Sequence, residues 1–234
     1  MKKLFLSTVT ASLLFLSIQS FAQISVGPKV GLNISKIYFN TKDAETDTPD
    51  FNRKIGFQIG GILNAQINEY FSIRPELLFN NIGGIIKDDD LKRTFNLNYL
   101  TLPINFVGQY PISDKFKLQG FFGPYAALGL GGKIKVEITD PSNPQSETID
   151  VKMKKDPSDF NDHNTYLNAW DFGLNFGLGF QYTSFVFTAN YGLGLTSIEP
   201  HYKNSDYEST RGDDGKIYNR NITFGVAYLF GGKK

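Results

Sequence analysis

Residues 170–182 read WDFGLNFGLGFQY, and this run decides the fold. Trp170, Phe172, Leu174, Phe176, Leu178, Phe180 and Tyr182 take every even position. Asp171, Gly173, Asn175, Gly177, Gly179 and Gln181 take the odd ones. A strict two-residue period predicts a β-strand with two unlike faces. One face is a wall of aromatic and aliphatic carbon. The other has almost no side-chain volume and hydrogen-bonds where it has any. A soluble sandwich would bury its bulky face and carry Lys or Glu outside. Here the thin face suits a crowded polar interior, and the bulky face needs an apolar solvent. A lipid bilayer is one.

Composition agrees. Aromatics make up 15% of 234 residues, charged residues 20%, and there are 23 glycines. A mean hydropathy of −0.24 does not exclude a membrane protein. A transmembrane barrel hides its apolar half in alternation, so its average stays modest. The chain has no cysteine, hence no disulfide framework, thiolate metal site or lipoprotein acylation site. Residues 1–22 resemble a secretory signal: Lys2 and Lys3, an apolar core over 4–18, and Ser20-Phe21-Ala22 as a small-x-small cleavage site. Residues 23–234 are then one barrel domain. Removing Lys2 and Lys3 from the 24 basic residues leaves 22 against 23 acidic ones, a net of −1. Nothing in that balance suggests nucleic acid. No later apolar run has the length of a transmembrane helix, so any membrane span is β.

The alternation continues along the chain. Strands are predicted over 24–35, 54–67, 71–81, 95–110, 116–131, 170–182, 185–198 and 218–230. Polar loops are expected over 36–53, 83–94, 132–168 and 199–216. Short turns are expected at 68–70, 111–115 and 183–184. In 95–110 the apolar phase changes, from Phe95, Leu97 and Tyr99 to Leu100, Leu102, Ile104 and Phe106. That change points to a bulge or to a strand end beyond the membrane. Within the longest loop, 133–138 and 148–151 alternate weakly and could form a hairpin extending the wall.

Connections thus alternate long and short, as in an even barrel with tight turns on one side. Tyr70, Phe71, Tyr110, Phe116, Tyr182, Phe185, Tyr228 and Phe230 gather near the short turns, where they would form a membrane-interface girdle. Open edges cannot exist in hydrocarbon, so the first strand must pair with the last. The expected fold is all-β: an eight-stranded antiparallel up-and-down transmembrane β-barrel. Eight strands leave room only for side chains inside.

Several segments resemble the PorT-like, "porin family" outer-membrane β-barrels of Bacteroidetes-type bacteria. They are GPKVGLNIS at 27–35, RPELLF at 74–79, LTLPI at 100–104, Gly123-Pro124-Tyr125 and Phe172-Gly173-Leu174. The resemblance covers essentially the whole mature chain and implies an eight-stranded barrel of the Gram-negative outer membrane. Its motifs are strand patterns and not active-site signatures. It implies outer-membrane lipid, lipopolysaccharide and the barrel-assembly machinery as partners. The tail at 231–234 departs from the family's usual ending on a terminal aromatic.

The inward polar residues are the candidate site. Lys29, Arg74, Glu76 and Lys117 lie near the short-turn ends of their strands, at similar height. Asp171, Gln58, Asn64, Asn105, Asn175 and Asn190 fill much of the rest, with Gln66, Gln119 and Gln181. A charge in a narrow interior persists only if paired. This set is read as a static plug rather than a selectivity constriction. His163 and His201, with Asp162, Ser205 and Asp206, could be cited for a lipid hydrolase, but no spacing rule selects them. Acidic clusters at 43–50, 88–90 and 213–214 lack the spacing of a calcium loop. Arg211-Gly212-Asp213 is a three-residue match that arises by chance. No enzyme, cofactor or metal is expected. The chain reads as a structural or interaction protein presenting its external loops, 132–168 above all, to a protein partner or surface. A narrow small-solute channel is the second reading and a lipid-modifying hydrolase the third.

Overall fold

The alternation at 170–182 becomes one uninterrupted strand. The structure, a computed structural model, describes residues 23–41, 51–88, 91–138, 144–154, 165–199 and 215–231. Eight long strands are β1 (Gln23–Thr41), β3 (Lys54–Gln66), β4 (Phe71–Asp88), β5 (Leu91–Ser113), β6 (Phe116–Ile138), β9 (Trp170–Tyr182), β10 (Phe185–Gly194) and β11 (Gly215–Tyr228). Three short ones are β2 (Phe51–Asn52), β7 (Gln145–Met153) and β8 (Thr165–Leu167). Each long strand pairs antiparallel with the next, and β1 pairs β11 from Lys29↔Ala227 to Thr41↔Gly215. The ring is closed, so no long strand leaves an edge for hydrocarbon to meet. Phe230 adds a last bridge to Val26.

The outer wall is apolar. Ile55, Leu178 and Phe122 are 74%, 72% and 64% exposed. Inside, the small residues let facing strands approach. A Cβ on Gly173 would lie 2.2 Å from Leu193 O and 2.6 Å from the Tyr125 ring. Glycine there leaves room for that ring against β9.

At the loop end the strands run further than the sequence implied. The expected loop at 83–94 is wall: β4 and β5 pair continuously to Asp88↔Leu91. Only residues 89–90, outside the described set, separate them, so the long-short alternation of connections fails at this hairpin. Gly83, the first residue of that expected loop, instead sits tight against β5, where a Cβ would meet Phe95 O at 1.9 Å. Likewise β1 continues to Thr41, and β10 stops at Gly194, short of the expected 198. The weakly alternating stretches form the wall-extending hairpin, with β7 on β6 from Ile138↔Gln145 to Gly132↔Val151.

The phase change in β5 has a different cause from a bulge in that strand. Leu97, Tyr99, Pro103, Asn105, Val107 and Gln109 are all buried, one parity throughout. The extra residue is on β6: Asn98 pairs Gly131 and Tyr99 pairs Gly129, leaving Leu130 out of register beside Gly131 at φ 114°. Leu97 and Tyr99 therefore point inward. They pack with Ile82, Ala127, Ile134, Val151, Leu167 and Ile198 into an apolar cluster that fills the loop end of the bore. A smaller cluster of Ile62, Val186, Ala227 and Leu229 lies toward the short turns.

Candidate functional site

Between the two apolar clusters the bore is polar. Lys29 Nζ lies 2.7 Å from Glu76 Oε2, both side chains buried. From Glu76 a chain of amides crosses the barrel. Asn105 donates to Glu76 Oε1 at 3.3 Å, Asn175 to Asn105 Oδ1 at 3.0 Å, and Asn190 to Asn175 Oδ1 at 2.9 Å. Five strands are linked by this one chain. The two-residue period places each of these residues inside, and the barrel's curvature brings them together.

Arg74 belongs to a second group nearer the short turns. Its Nε donates to Asn64 Oδ1 and its Nη2 to Gln119 Oε1, each at 3.1 Å. Gln119 donates in turn to Gln181 Oε1 at 3.2 Å. Lys117, expected in the network, is half-buried beside Gln181 and forms no ion pair among the described residues. Gln58 is buried, but its Nε2 has no hydrogen-bond partner among the described residues.

Asp171 stands apart from the Lys29–Glu76 chain. It sits under the apolar cluster, where Asn219 Nδ2 donates to Oδ2 at 2.9 Å and the Tyr125 hydroxyl approaches at 3.4 Å. Asn219 also reaches the Tyr99 hydroxyl at 3.4 Å. Tyr99 and Asn219 were not singled out in the sequence. Both follow inward parity, and that parity was the available signal. Asn33 makes another unexpected tie. It donates to Asn80 Oδ1 at 3.1 Å and accepts from Thr223 Oγ1 at 2.9 Å, which locks the β1–β11 seam.

A cavity of about 70 Å³ lies at mid-bore, lined among others by Lys29, Glu76, Tyr99, Asp171, Gln58 and Asn221. That is room for a few waters beside polar walls. It is far below the several hundred Å³ of a small-molecule pocket. Among the described residues no group of three or more His, Cys, Asp and Glu could hold a metal ion. His163, His201, Asp162, Ser205, Asp206, Arg211-Gly212-Asp213 and the acidic runs at 43–50 and 213–214 lie outside the described residues, as does residue 1–22.

The aromatics near the short turns meet one another. Phe185 stands across from Tyr182 and Tyr228, and Tyr182 from Phe116. Ring centroids are 5.0 Å apart for Phe185–Tyr228 and 4.7 Å for Tyr228–Phe230. Tyr70 and Tyr110 are exposed at the same end, and Phe71 is half-buried.

A closed antiparallel ring, apolar outside and hydrogen-bonded within, defines a transmembrane β-barrel. The chain belongs to the outer membrane protein β-barrel domain family, whose profile matches residues 19–199. It is thus an outer-membrane β-barrel protein of Gram-negative type. Among solved structures it is similar to Ail, the attachment invasion locus protein of Yersinia pestis, at 15% identity and a TM-score of 0.39, covering 88% of this chain and 98% of that one. It is similar to the outer membrane protein OprG from Pseudomonas aeruginosa at 12% identity and a TM-score of 0.44, covering 88% and 95%. Neisserial surface protein A matches at 10% identity and a TM-score of 0.39, covering 88% and 97%. No curated protein matches the chain.

Proposed function

We propose that this protein is a non-enzymatic structural and interaction barrel, of the PorT-like kind found in Bacteroidetes-type bacteria. A signal segment is removed near Ala22, leaving residues 23–234 as the barrel domain. Outer-membrane lipid and lipopolysaccharide surround the wall, and the barrel-assembly machinery inserts it. The aromatic set from Tyr70 to Phe230 acts as the girdle at the short-turn interface. The external loops, with the β6–β7 extension, meet a protein partner. Nucleic acid has no place in this reading.

The supporting observation is the filling of the bore. A buried ion pair and a five-residue hydrogen-bonded chain cross it, and apolar clusters stand above and below. Ions would have to break charge-assisted hydrogen bonds in a low-dielectric interior to pass. The test is a planar bilayer recording of the purified protein. No steady conductance is expected, and reproducible porin-sized steps would overturn the reading. The mid-bore cavity favours the second reading, a narrow solute channel, and the same recording decides between them.

A further inference from the structure

β10 stops at Gly194, while β9 reaches Trp170 and β11 reaches Gly215, so the ladder is interrupted at the loop end of the bore. Asp171 of β9 sits at this gap and is only 2% exposed. Buried charges are paired or hold a metal ion. Every group that touches this carboxylate is neutral. Asn219 Nδ2 donates to Oδ2 at 2.9 Å, a normal bond. Oδ1 has only hydroxyls near it, those of Tyr125 and Thr196, each at 3.5 Å. Among the described residues the carboxylate forms no ion pair. Arg220 is committed elsewhere: its Nη1 donates to Gly194 O and Asn219 O, and its guanidinium lies 5.5 Å from the Tyr38 ring and 5.6 Å from the Tyr218 ring.

The spacing of these oxygens is informative. Hydroxyl hydrogen bonds close at about 2.7–2.8 Å, so 3.5 Å is long for one. A protonated carboxyl fares no better, because Oδ1 has no acceptor at bonding distance among the described residues. Oxygens that share a cation stand further apart. Two of them, each about 2.4 Å from one ion and at right angles, are separated by about 3.4 Å. Magnesium, at about 2.1 Å, would draw them to about 3.0 Å. The observed gap suits sodium or calcium in size, and a single carboxylate balances only the monovalent ion.

Space and further oxygens are at hand. A Cβ on Gly194 would lie 3.2 Å from Asp171 Oδ1, so glycine keeps that side open. Thr196 Oγ1 accepts from Phe172 N at 2.8 Å, which fixes its position beside the carboxylate. The mid-bore cavity reaches Asp171, Tyr125 and Tyr99. It is also lined by Asn221, whose buried Oδ1 has no hydrogen-bond partner among the described residues. An acceptor left in that state marks a place for a cation or for water bound to one.

We propose that the loop end of the bore binds one sodium ion. Asp171 Oδ1 and the hydroxyl oxygens of Tyr125 and Thr196 are its protein ligands, and water in the cavity completes the shell. This is a site of one acid and neutral oxygens, unlike a divalent centre built from several acids. The ion ties β9, β6 and the segment after β10 where the ladder is interrupted. The inference goes beyond the plugged-barrel reading and holds whether or not the bore conducts.

The test follows urea unfolding of the full barrel in zwitterionic micelles, at one ionic strength made up with sodium, potassium, caesium or choline chloride. Wild type should be most stable in sodium. Mixing sodium with choline, its folding constant should rise about tenfold for each tenfold rise in sodium above the dissociation constant. Asp171→Asn should lose this dependence, and Thr196→Val should move it to higher sodium. Glu137→Gln, which removes a carboxylate outside the bore, should keep it unchanged. Heat-dependent gel mobility reports whether each variant is a folded barrel. Where Asp171→Asn does not fold, the wild-type ion series and Thr196→Val decide. Equal wild-type stability in sodium and choline overturns the site, as does sodium dependence that survives in Asp171→Asn. Stability that follows pH and ignores sodium puts a proton in the ion's place and overturns it as well.

Discussion

Lys29 of β1 and Glu76 of β4 pair over the top of β3, 2.7 Å apart with both side chains buried. The pair joins strands that share no backbone ladder. Glu76→Ala leaves a buried ammonium without its partner, a loss of about 3–5 kcal/mol. Urea unfolding in micelles, followed by the fluorescence of the single Trp170, measures it. Lys29→Met with Glu76→Gln removes both charges and keeps an acceptor for Asn105. That double variant should recover most of the loss. A Glu76→Ala barrel as stable as wild type would refute the pair's role.

Leu97 is fully buried in the loop-end cluster. Leu97→Ala should destabilise the barrel by about 2–5 kcal/mol, as for other core truncations. A truncated residue on the lipid face would instead lose little, because lipid fills the gap. Leu178→Ala, on the outer wall, is the comparison, and equal effects would contradict the inward placement.

Gly173 gives its space to the Tyr125 ring. Gly173→Val would displace that ring and break the Tyr125–Asp171 contact of 3.4 Å. The expected outcome is failure to reach the heat-resistant folded band on a gel. Gly61, whose nearest neighbour to an added Cβ is 3.7 Å away, should accept Ala without such failure.

Thr183 turns the β9–β10 hairpin at φ 53°, a left-handed conformation that a β-branched residue rarely adopts. Its N–H donates to Lys115 O at 2.8 Å, which holds the chain there. Thr183→Gly relieves the strain and loses some chain entropy, for a net gain near 1 kcal/mol. A lower unfolding midpoint in the glycine variant would show that the turn is unstrained.

Glu137, in the extension beyond the membrane, accepts from Lys135 at 2.7 Å and pairs Lys92 at 3.0 Å. These bonds hold its carboxyl below the usual range, Lys135 contributing most. A depressed folded value means the tie is present above the unfolded carboxylate range and lost as pH falls through the folded one. Amide protection factors at the β6–β7 tip, with the intrinsic pH dependence of exchange divided out, should fall on acidification, and Glu137→Gln should show the lowered protection at neutral pH as well. Protection factors independent of pH in wild type would dismiss the tie.

The part of the wall inside the bilayer was legible because each strand there has two solvents, lipid and bore. WDFGLNFGLGFQY writes that contrast residue by residue, and β9 runs over the whole of it. Beyond the membrane the contrast disappears. Residues 83–94 therefore read as loop, although 83–88 and 91–94 are paired ladder. Leu97 and Tyr99 misled for a related reason: an apolar residue inside a capped bore looks like one facing lipid. Parity also turned Lys29, Arg74 and Glu76 inward. It could not say that Glu76 takes Lys29 while Arg74 takes Asn64 and Gln119. Those choices depend on how far the ring shears as it closes, which no single strand records. Lys117 shows the limit, since the same parity leaves it at the mouth beside Gln181.

Asn33 holds Thr223, a residue 190 positions later in the chain. The ring therefore has a clasp whose halves are made at opposite ends of synthesis. No nascent fragment can fasten it, and every shorter product carries two unpaired rims. Such a polypeptide has to be escorted open until its final residues arrive, and the moment of fastening is also the moment at which it ceases to be a hazard to its neighbours.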